Sequence, residues 1–351
     1  PEDIIGFCQY TDIVNIQEKW DQDHLLEDNV KEWDNPYFGF PQMVRFAFNP
    51  NESSIKKMEE LEKSGVTNAF SELFRPLSIS KDTSPNHGHR IFKHEQEILD
   101  LLEVIDGSKQ DENVLGFLDY DKIKEGKMCR HIVCVLPYRA SCDALENLIT
   151  CNKDKFRNLG DYQIVNISGV ENEQAYENTS SVKEKIRSCE AEGKKTLTLT
   201  VNRMLTGSTV EQWDTMLFLK ECASPQEYDQ AIFRLQNQYV RKYIYAKNEV
   251  VKYNMKPQTL LIDFDPNRMF RLQERKSFVC NMNMDKSGNS KLEERIKEEL
   301  RISPIIILNK NKLQEVVATD ILDAVREYSA KRSLKDEAME IPIDYSLFTD
   351  P

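Results

Sequence analysis

The sequence predicts an α/β protein in which a parallel sheet carries helices on both faces, with a small α+β appendage at its carboxyl-terminal end. The first observation is a set of short apolar runs without polar alternation, such as "RHIVCVLPY" (130–138). Such runs are typical of strands that are buried on both faces. The second observation is that helical segments separate these runs. Strands alternating with helices predict a parallel sheet, and ligand sites in such sheets lie beyond the carboxyl ends of the strands.

The predicted elements follow one another in a regular order. Five strands are predicted, over 130–138, 162–168, 195–201, 214–219 and 258–265. Three helices are predicted between them, over 140–150, 180–193 and 225–240. The second of these helices begins at a serine and ends at Gly193, which are typical residues for the two ends of a helix.

The two ends of the chain differ from this central pattern. Residues 1–94 form an irregular and helical linking region, which contains a candidate strand in "VRFAF" and a charged helix over 52–64. Residues 95–278 form the central α/β domain and begin with the helical stretch "EQEILDLLEVI". Residues 279–351 form the α+β appendage, with a helix over 289–301, a hairpin in "PIIILNKNKLQEVV" and a final helix over 318–332.

Composition restricts the class of protein. The 351 residues are 40% apolar and 30% charged, which is typical of a soluble globular protein. No run approaches the ~18–20 apolar residues of a membrane span, and no signal peptide is visible. The chain opens at Pro1 without a Met, as an excised piece of a longer protein does.

Cysteine usage and charge add two expectations. None of the eight cysteines forms a C-x-x-C pair and several lie in apolar runs, so we expect reduced thiols and a cytoplasmic location. The net charge of −12 argues against wholesale electrostatic binding of nucleic acid, although a local basic groove is compatible with it.

Candidate chemistry lies after the third strand of the central domain, in "VNRMLTGSTVEQWD" (201–214). Threonine and serine hydroxyls and a flexible glycine backbone at a strand end suit phosphate oxygens. The alternative is an ordinary turn with glycine at a strained position.

A helix carries the next candidate groups, Gln230 and Arg234, which are one turn apart on one face. We expect Arg234 to lie near "LTGST", where a guanidinium could bind phosphate in bidentate fashion. The alternative is an ion pair between Arg234 and a carboxylate such as Asp214 or Asp229.

Together these motifs resemble the second RecA-like (helicase C-terminal) domain of superfamily 2 helicases and translocases. "VCVLPYRASCDAL" resembles motif IV, "LTVNRMLTGSTVEQWD" motif V and "YDQAIFRLQN" motif VI. The nearest resemblance is to the motor subunits of type I and type III restriction enzymes, and it covers residues 130–265 best.

The resemblance implies an ATP-dependent DNA helicase or translocase, in which Mg²⁺ and ATP are held mainly by a first RecA-like domain. It gives Gln230 and Arg234 the catalytic role of stabilising charge on the transferring γ-phosphate. It implies cofactor contacts from Arg203, Thr206, Gly207, Thr209 and Arg241. It implies contacts to the nucleic-acid backbone from Tyr138, Arg139, Ser141, Ser168 and Thr200.

The implied partners are DNA, a first motor domain upstream on the same full-length chain, and methyltransferase or specificity subunits. No membrane partner is implied. The phosphate-binding motif G-x-x-x-x-G-K-[ST] does not occur in the sequence, and "DEAM" (336–339) follows a polar helix end instead of a buried strand. We therefore expect this chain to hydrolyse no ATP by itself.

Two positions depart from the motor pattern. Thr209 stands where motif V usually has an aspartate, and Asn237 stands where motif VI has its second arginine. Arg241 could substitute for that arginine if the helix continues past Tyr239. A second hypothesis is therefore a degenerate RecA-like scaffold or interaction module without catalysis.

Other candidates have structural alternatives. His87, His89 and His94 are spaced closely enough for a metal, but a polar loop more often carries solvated histidines. Trp33, Tyr37, Phe38 and Phe40 could stack on bases, although such a cluster more often fills a core between domains. No nuclease motif is present in the sequence.

Overall fold

A computed structural model describes residues 10–48, 70–109, 116, 118, 128–171, 176, 178–222, 224–245, 249–265, 268–270, 272–273, 288–309 and 312–323. The predicted helix over 52–64, most of the segment 108–128, "DEAM" and the end of the final helix lie outside these residues.

The helices and strands are numbered in chain order. The α-helices are α1 (Tyr10–Asp23), α2 (Phe70–Leu73), α3 (Glu95–Asp106), α4 (Arg139–Cys151), α5 (Thr179–Ala191), α6 (Pro225–Ile232) and α7 (Gly288–Ile302). The strands are β1 (Gln42–Phe48), β2 (His131–Val135), β3 (Gln163–Asn166), β4 (Thr196–Thr200), β5 (Thr215–Phe218), β6 (Val240–Ile244), β7 (Val250–Asn254), β8 (Gln258–Asp263), β9 (Ile305–Asn309) and β10 (Lys312–Glu315). Residues 318–323 are also helical.

Eight strands form one sheet in the order β10-β9-β1-β8-β5-β2-β4-β3. Every neighbouring pair is parallel except β9 and β10, which form an antiparallel hairpin. The α/β class and all five strands predicted for the central domain are thereby confirmed, as are the strand in "VRFAF" and the hairpin near the carboxyl-terminal end.

Helices cover both faces of this sheet. On one face, α5, α6 and α7 contribute apolar side chains to a core that includes Trp213 and Leu261. On the other face, α3 and α4 pack against Ile132 and Leu197. This arrangement follows from strands such as β2 and β4, in which every residue is buried.

The sheet extends beyond residues 95–278. Strand β1 lies between β8 and β9, so a strand from the amino-terminal region is central to the sheet. The carboxyl-terminal hairpin pairs with β1 through β9, so the predicted α+β appendage continues the same sheet.

The predicted helix over 225–240 is wrong in its second half. Helix α6 ends at Ile232, a 3₁₀ turn covers Phe233–Gln236, and Asn237 has extended backbone angles (φ −74°, ψ 141°). Leu235 and Gln236 are buried in this 3₁₀ turn, and the chain enters β6 at Val240. Arg241 consequently lies on a strand, and the condition under which it could replace the second motif VI arginine is not met.

Two further observations concern the class of protein. The six cysteines in the described part of the chain are free thiols, and burial raises the pKa of Cys129 to about 12. None of the helices in that part combines the length and the apolar character that a membrane crossing requires.

Candidate functional site

Arg234 and the segment after β4 meet directly. The Arg234 Nη1 donates to the carbonyl of Ser208 at 2.8 Å, and its Nε donates to the carbonyl of Gln230 at 3.3 Å. Among the described residues Arg234 forms no ion pair, so the alternative pairing with Asp214 or Asp229 is not found. Asp214 is instead buried and accepts hydrogen bonds from the backbone N–H groups of Arg130 and His131. Arg234 thus stays partly exposed beside the motif V-like segment.

The surroundings of Arg234 are open. Thr206, Gly207 and Thr209 are exposed, as is Gln230. Gly207 has a φ of +68°, and nothing lies within 4 Å of the position that its Cβ would take. Backbone N–H groups and threonine hydroxyls therefore face a free surface next to a guanidinium, which is a donor set that phosphate oxygens accept.

A second group of predicted residues is joined by hydrogen bonds at the carboxyl ends of β2, β3 and β4. The Arg139 Nε donates to the carbonyl of Ser168 at 3.0 Å, and the Ser168 Oγ lies 3.2 Å from the Thr200 Oγ1. The Thr200 hydroxyl donates to the carbonyl of Arg203 at 2.8 Å. Four residues predicted as separate contacts thus form one network, with the exposed Arg139 at its outer end.

Arg203 is committed to backbone partners in that network. Its Nη1 donates to the carbonyl of Ile167 at 2.9 Å, and its Nη2 donates to the carbonyl of Tyr176. Both bonds fix the loop that follows β3. Arg203 therefore holds the loop after β3 at the carboxyl edge of the sheet.

Ser141 is not available at the surface. It is buried, and its hydroxyl donates to the carbonyl of Phe74 at 2.6 Å, which ties α4 to the segment after α2. A nucleic-acid backbone cannot reach this hydroxyl in the present conformation. Tyr138, which precedes α4, is partly exposed beside Arg139.

Arg241 lies away from Arg234. Its Nη2 is 2.7 Å from the carboxylate of Glu190, near the end of α5, and its guanidinium lies over the ring of Tyr239. The Tyr239 hydroxyl donates to the same Glu190 oxygen at 2.6 Å. Since α5 ends just before β4 begins, this pair lies at the amino-terminal edge of the parallel sheet. Arg241 therefore neutralises a buried carboxylate and is remote from the proposed cofactor contacts.

Asn237 also has a local partner. Its side-chain amide donates to the carbonyl of Arg234 at 2.9 Å and so closes the 3₁₀ turn that carries this arginine. The amide thus positions the backbone of Arg234 without adding charge to the site.

Sequence reasoning missed a polar cluster at the carboxyl end of β5. The ammonium of Lys220, which is 7% exposed, donates to Asn202 at 2.5 Å and to Glu227 at 2.6 Å. It joins the loop after β4 to the first turn of α6, and so holds the two segments that bring Ser208 and Arg234 together. The available signal was a lysine directly after the buried run "DTMLFL".

A buried ion pair supports α6 from β8. The Arg268 guanidinium donates to both oxygens of Asp263, at 3.0 and 2.5 Å, and lies over the ring of Phe218. The Tyr228 hydroxyl on α6 donates to Asp263 at 2.6 Å. The position of α6 is therefore fixed by polar contacts as well as by its apolar face.

The loop that contains His87 and His89 is held by hydrogen bonds to its histidines. His87, His89 and Glu171 have ligand atoms within 4.8 Å of one another. However, the backbone N–H of Asp82 donates to the Nδ1 of His89 at 3.1 Å, so its Nε2 carries the proton that faces Glu171 at 2.7 Å. A histidine that binds metal through Nε2 donates from its other nitrogen. The bonds of His89 favour a fixed loop over a metal centre.

The aromatic segment 33–40 packs against β6 and β7. Lys252 donates to the carbonyl of Trp33 at 3.3 Å, and Gln238 donates to the carbonyl of Phe38 at 2.8 Å. Gly39 has room only for hydrogen, because a Cβ there would lie 2.3 Å from Val240. The aromatic side chains of this segment are all partly buried, which favours a packing role.

Part of the chain is related in sequence to a curated protein. No family model matches the chain. The chain is 30% identical over 177 residues to a protein of Mycoplasma pneumoniae named "Putative type II restriction enzyme and methyltransferase RM.MpnORF110P C-terminus". The match covers 49% of this chain and 23% of that relative, so the chain spans about a quarter of the length of the curated protein that it matches. The chain is thus similar in sequence to part of a restriction–modification protein.

Proposed function

We propose that this chain is the carboxyl-terminal motor half of an ATP-dependent DNA helicase or translocase of a restriction–modification enzyme. The observation that carries the proposal is the contact between Arg234 and Ser208, which sets an unpaired guanidinium beside an open Thr-Gly-Ser-Thr segment. The relation to a restriction–modification protein supports the enzyme class.

In this proposal the nucleotide lies mainly on a first RecA-like domain, which holds Mg²⁺ and the phosphates. Arg234, aided by Gln230, reaches across the cleft to the γ-phosphate, and the backbone of 206–209 lines the near side. An arginine supplied in this way typically raises the rate of phosphoryl transfer about 10³–10⁵-fold. Arg139 and Ser168 lie at the carboxyl edge, where a DNA backbone could run.

The proposal is tested by joining this chain to a first motor domain and measuring DNA-stimulated ATP hydrolysis. We expect no hydrolysis by the 351-residue chain alone, hydrolysis by the joined protein, and a loss of at least tenfold in the Arg234→Ala variant. Arg301→Gln is the matched control, because it removes a half-exposed arginine of α7 whose partners, Glu18 and Glu298, are also exposed. Equal rates for Arg234→Ala and the unaltered joined protein would contradict the role of Arg234.

A scaffold without catalysis is the second candidate, and Asn237 is the observation that favours it. Motor domains of this class carry an arginine there, and this chain uses an amide to close the turn. A joined protein that binds DNA and ATP but hydrolyses no ATP would support the scaffold.

A further inference from the structure

Helix α1 and the turns that follow it are strongly acidic and lie at the surface. Residues 10–35 contain eight carboxylates and two lysines, a sum of −6 (2 − 8), in a chain whose net charge is −12. None of the residues of α1 is buried. The negative charge of the chain is therefore concentrated on one short surface segment.

Two adjacent leucines stand in this acidic segment. Leu25 and Leu26 are 79% and 93% exposed, the highest values among the large apolar residues of the described part of the chain. Single exposed leucines are normal on protein surfaces, whereas a joined apolar surface with a polar rim is typical of an interaction site. We call Leu25 and Leu26 the leucine pair.

The turn that carries the leucine pair has a defined conformation. The Leu25 N–H donates to the carbonyl of Gln22 at 3.4 Å, and the Glu27 N–H donates to the carbonyl of His24 at 3.1 Å. The His24 ring is stacked on the ring of Trp20, with 4.1 Å between their centroids. The pair is thus held in place before binding, which lowers the entropy lost when a partner binds.

Helix α1 is joined to the rest of the protein by polar contacts. Arg301 of α7 pairs with Glu18 at 3.0 Å and donates to Asn15 at 3.1 Å. The Asn35 amide donates to the carboxylate of Asp21 at 2.8 Å. Two carboxylates of α1 therefore have partners within the fold.

The carboxylates next to the leucine pair have no such partners. Asp23, Glu27 and Asp28 are exposed, and within the described part of the chain none of the three carboxylates forms a salt bridge or a hydrogen bond. Like charges held close together repel one another, so these three groups do not stabilise the turn. They complement cations that come from another molecule.

We propose that the leucine pair docks a basic amphipathic segment of another polypeptide. Apolar side chains of that segment cover Leu25 and Leu26, and its lysines or arginines pair with Asp23, Glu27 and Asp28. Removing the leucines from water supplies affinity, and opposite charge selects the partner and speeds the encounter. The same negative field repels a nucleic acid, an anionic lipid surface and a second copy of this chain. The proposal does not depend on the role of Arg234 or on nucleotide binding.

The probe is a fluorescein-labelled synthetic peptide of about 18 residues, with leucines at the helical spacing i, i+3, i+4 and i+7 and lysines elsewhere. Fluorescence anisotropy measures its binding to the 351-residue chain at low and at physiological salt. One control peptide has glutamates in place of the lysines, and another has the same composition without a leucine stripe. We expect the first peptide to bind more tightly than both controls, and its affinity to fall as salt rises.

Two variants separate the apolar and the charged contributions to binding. Leu25→Ala/Leu26→Ala should bind the first peptide at least about tenfold more weakly, because several methylene groups are no longer buried. Asp23→Asn/Asp28→Asn should bind it about threefold more weakly and with a smaller dependence on salt, because two exposed ion pairs are lost.

Two matched control variants alter the same kinds of residue elsewhere. Leu77→Ala/Ile79→Ala removes two apolar side chains that are 60% and 44% exposed. Asp154→Asn/Asp161→Asn removes two exposed carboxylates. Both variants should bind the first peptide as the unaltered chain does.

Four results would overturn the proposal. One is the absence of binding of the first peptide by the unaltered chain. Another is affinity within twofold for the double alanine variant of the leucine pair when its circular dichroism is unchanged. A third is an equal loss of affinity in the two control variants, which would make the peptide a non-specific ligand of an acidic chain. The fourth is a dimer of the unaltered chain in sedimentation velocity that the double alanine variant does not form, which would assign the leucine pair to a second copy.

Discussion

Two arginines that are seven residues apart in sequence have different surroundings. Arg234 donates only to backbone carbonyls and keeps its charge available, whereas Arg241 is bound to the carboxylate of Glu190. Glu190 has a side chain that is 3% exposed, so without a cation its charge would be buried. Arg234 is therefore the arginine that matches the motor motif, and Arg241 is the arginine that stabilises the fold.

The pair of Glu190 and Arg241 gives the first prediction. Arg241→Gln should lower the free energy of unfolding by about 1–2 kcal/mol, less than for a fully buried pair because Arg241 is 40% exposed. Urea denaturation measures this change. Glu190→Gln/Arg241→Gln should recover most of the loss, because no charge remains buried. A double variant as unstable as the sum of the two single variants would contradict this explanation.

Lys256 gives a prediction of pH dependence. Burial lowers its pKa from 10.5 to about 8 in the folded protein. Between these two values the unfolded chain binds more protons than the folded one, so the stability contributed through Lys256 rises with pH from 8 to 10.5. The full change is on the order of 3 kcal/mol.

Urea denaturation at pH 7.5 and pH 10 checks this difference. Groups other than Lys256 titrate in both proteins, so the unaltered chain is compared with Lys256→Met. The free energy of unfolding should rise more between the two pH values in the unaltered chain. Identical changes in both proteins would show that Lys256 is not the group responsible.

At the scale of elements, the start of α6 places Arg234. The Ser224 hydroxyl accepts from the backbone N–H of Glu227 at 3.3 Å, and Pro225 occupies the first turn. Ser224→Ala should lower the free energy of unfolding by about 1 kcal/mol, whereas Ser224→Asp should preserve it. Thermal denaturation of the unaltered chain, Ser224→Ala and Ser224→Asp measures how much the cap stabilises the protein. If the Ser224→Ala and Ser224→Asp variants are equally stable, the cap does not contribute to the stability of the protein.

The strands could be predicted from the sequence and the end of α6 could not. Runs such as β2 and β4 are buried on both sides, and their composition alone indicates this. Helical spacing continues past Ile232, and no Gly or Pro interrupts it before Val240. At this point Leu235 belongs to the apolar core and the Asn237 amide closes the 3₁₀ turn on the carbonyl of Arg234, before the chain enters the β6–β7 hairpin. Tertiary context of this kind overrides helical spacing.

The candidate site was likewise predicted in part. The motif order placed Arg234 near 206–209, and the structure has this contact. Residue type could not show that the Ser141 hydroxyl points toward Phe74, because a serine one turn into a helix has the same sequence signal on either face. Lys220 was missed for a similar reason, since a lysine after a strand is usually solvated.

At the scale of the whole molecule, one sheet joins three segments that are distant in sequence. Strand β1 pairs with β8 on one side and with β9 on the other. The Ser303 hydroxyl donates to the carbonyl of Met43 at 2.7 Å, and the buried Arg45 donates to the carbonyl of Ser303. Ile296, Leu300 and Ile305 belong to the same apolar core as Met216 and Leu261.

This arrangement gives a prediction about domain boundaries. A chain limited to residues 95–278 lacks β1, α7 and β9, so the edge of β8 and the apolar side chains beneath α7 would be exposed to water. Open strand edges and apolar patches of this kind promote aggregation. We expect the excised 95–278 chain to aggregate or to unfold at a much lower urea concentration than the 351-residue chain.

Size-exclusion chromatography shows whether the 95–278 chain aggregates, and urea denaturation compares its stability with that of the 351-residue chain. A 351-residue chain with Val44→Ala and Phe46→Ala is a useful intermediate, because it keeps β1 and its backbone hydrogen bonds while removing apolar side chains from the β1 face that packs with the α3–α4 core. It should be less stable than the unaltered chain and more stable than the excised one. An excised chain that is monomeric, with the same urea midpoint as the whole, would instead make 95–278 a self-sufficient domain and β1 a dispensable addition.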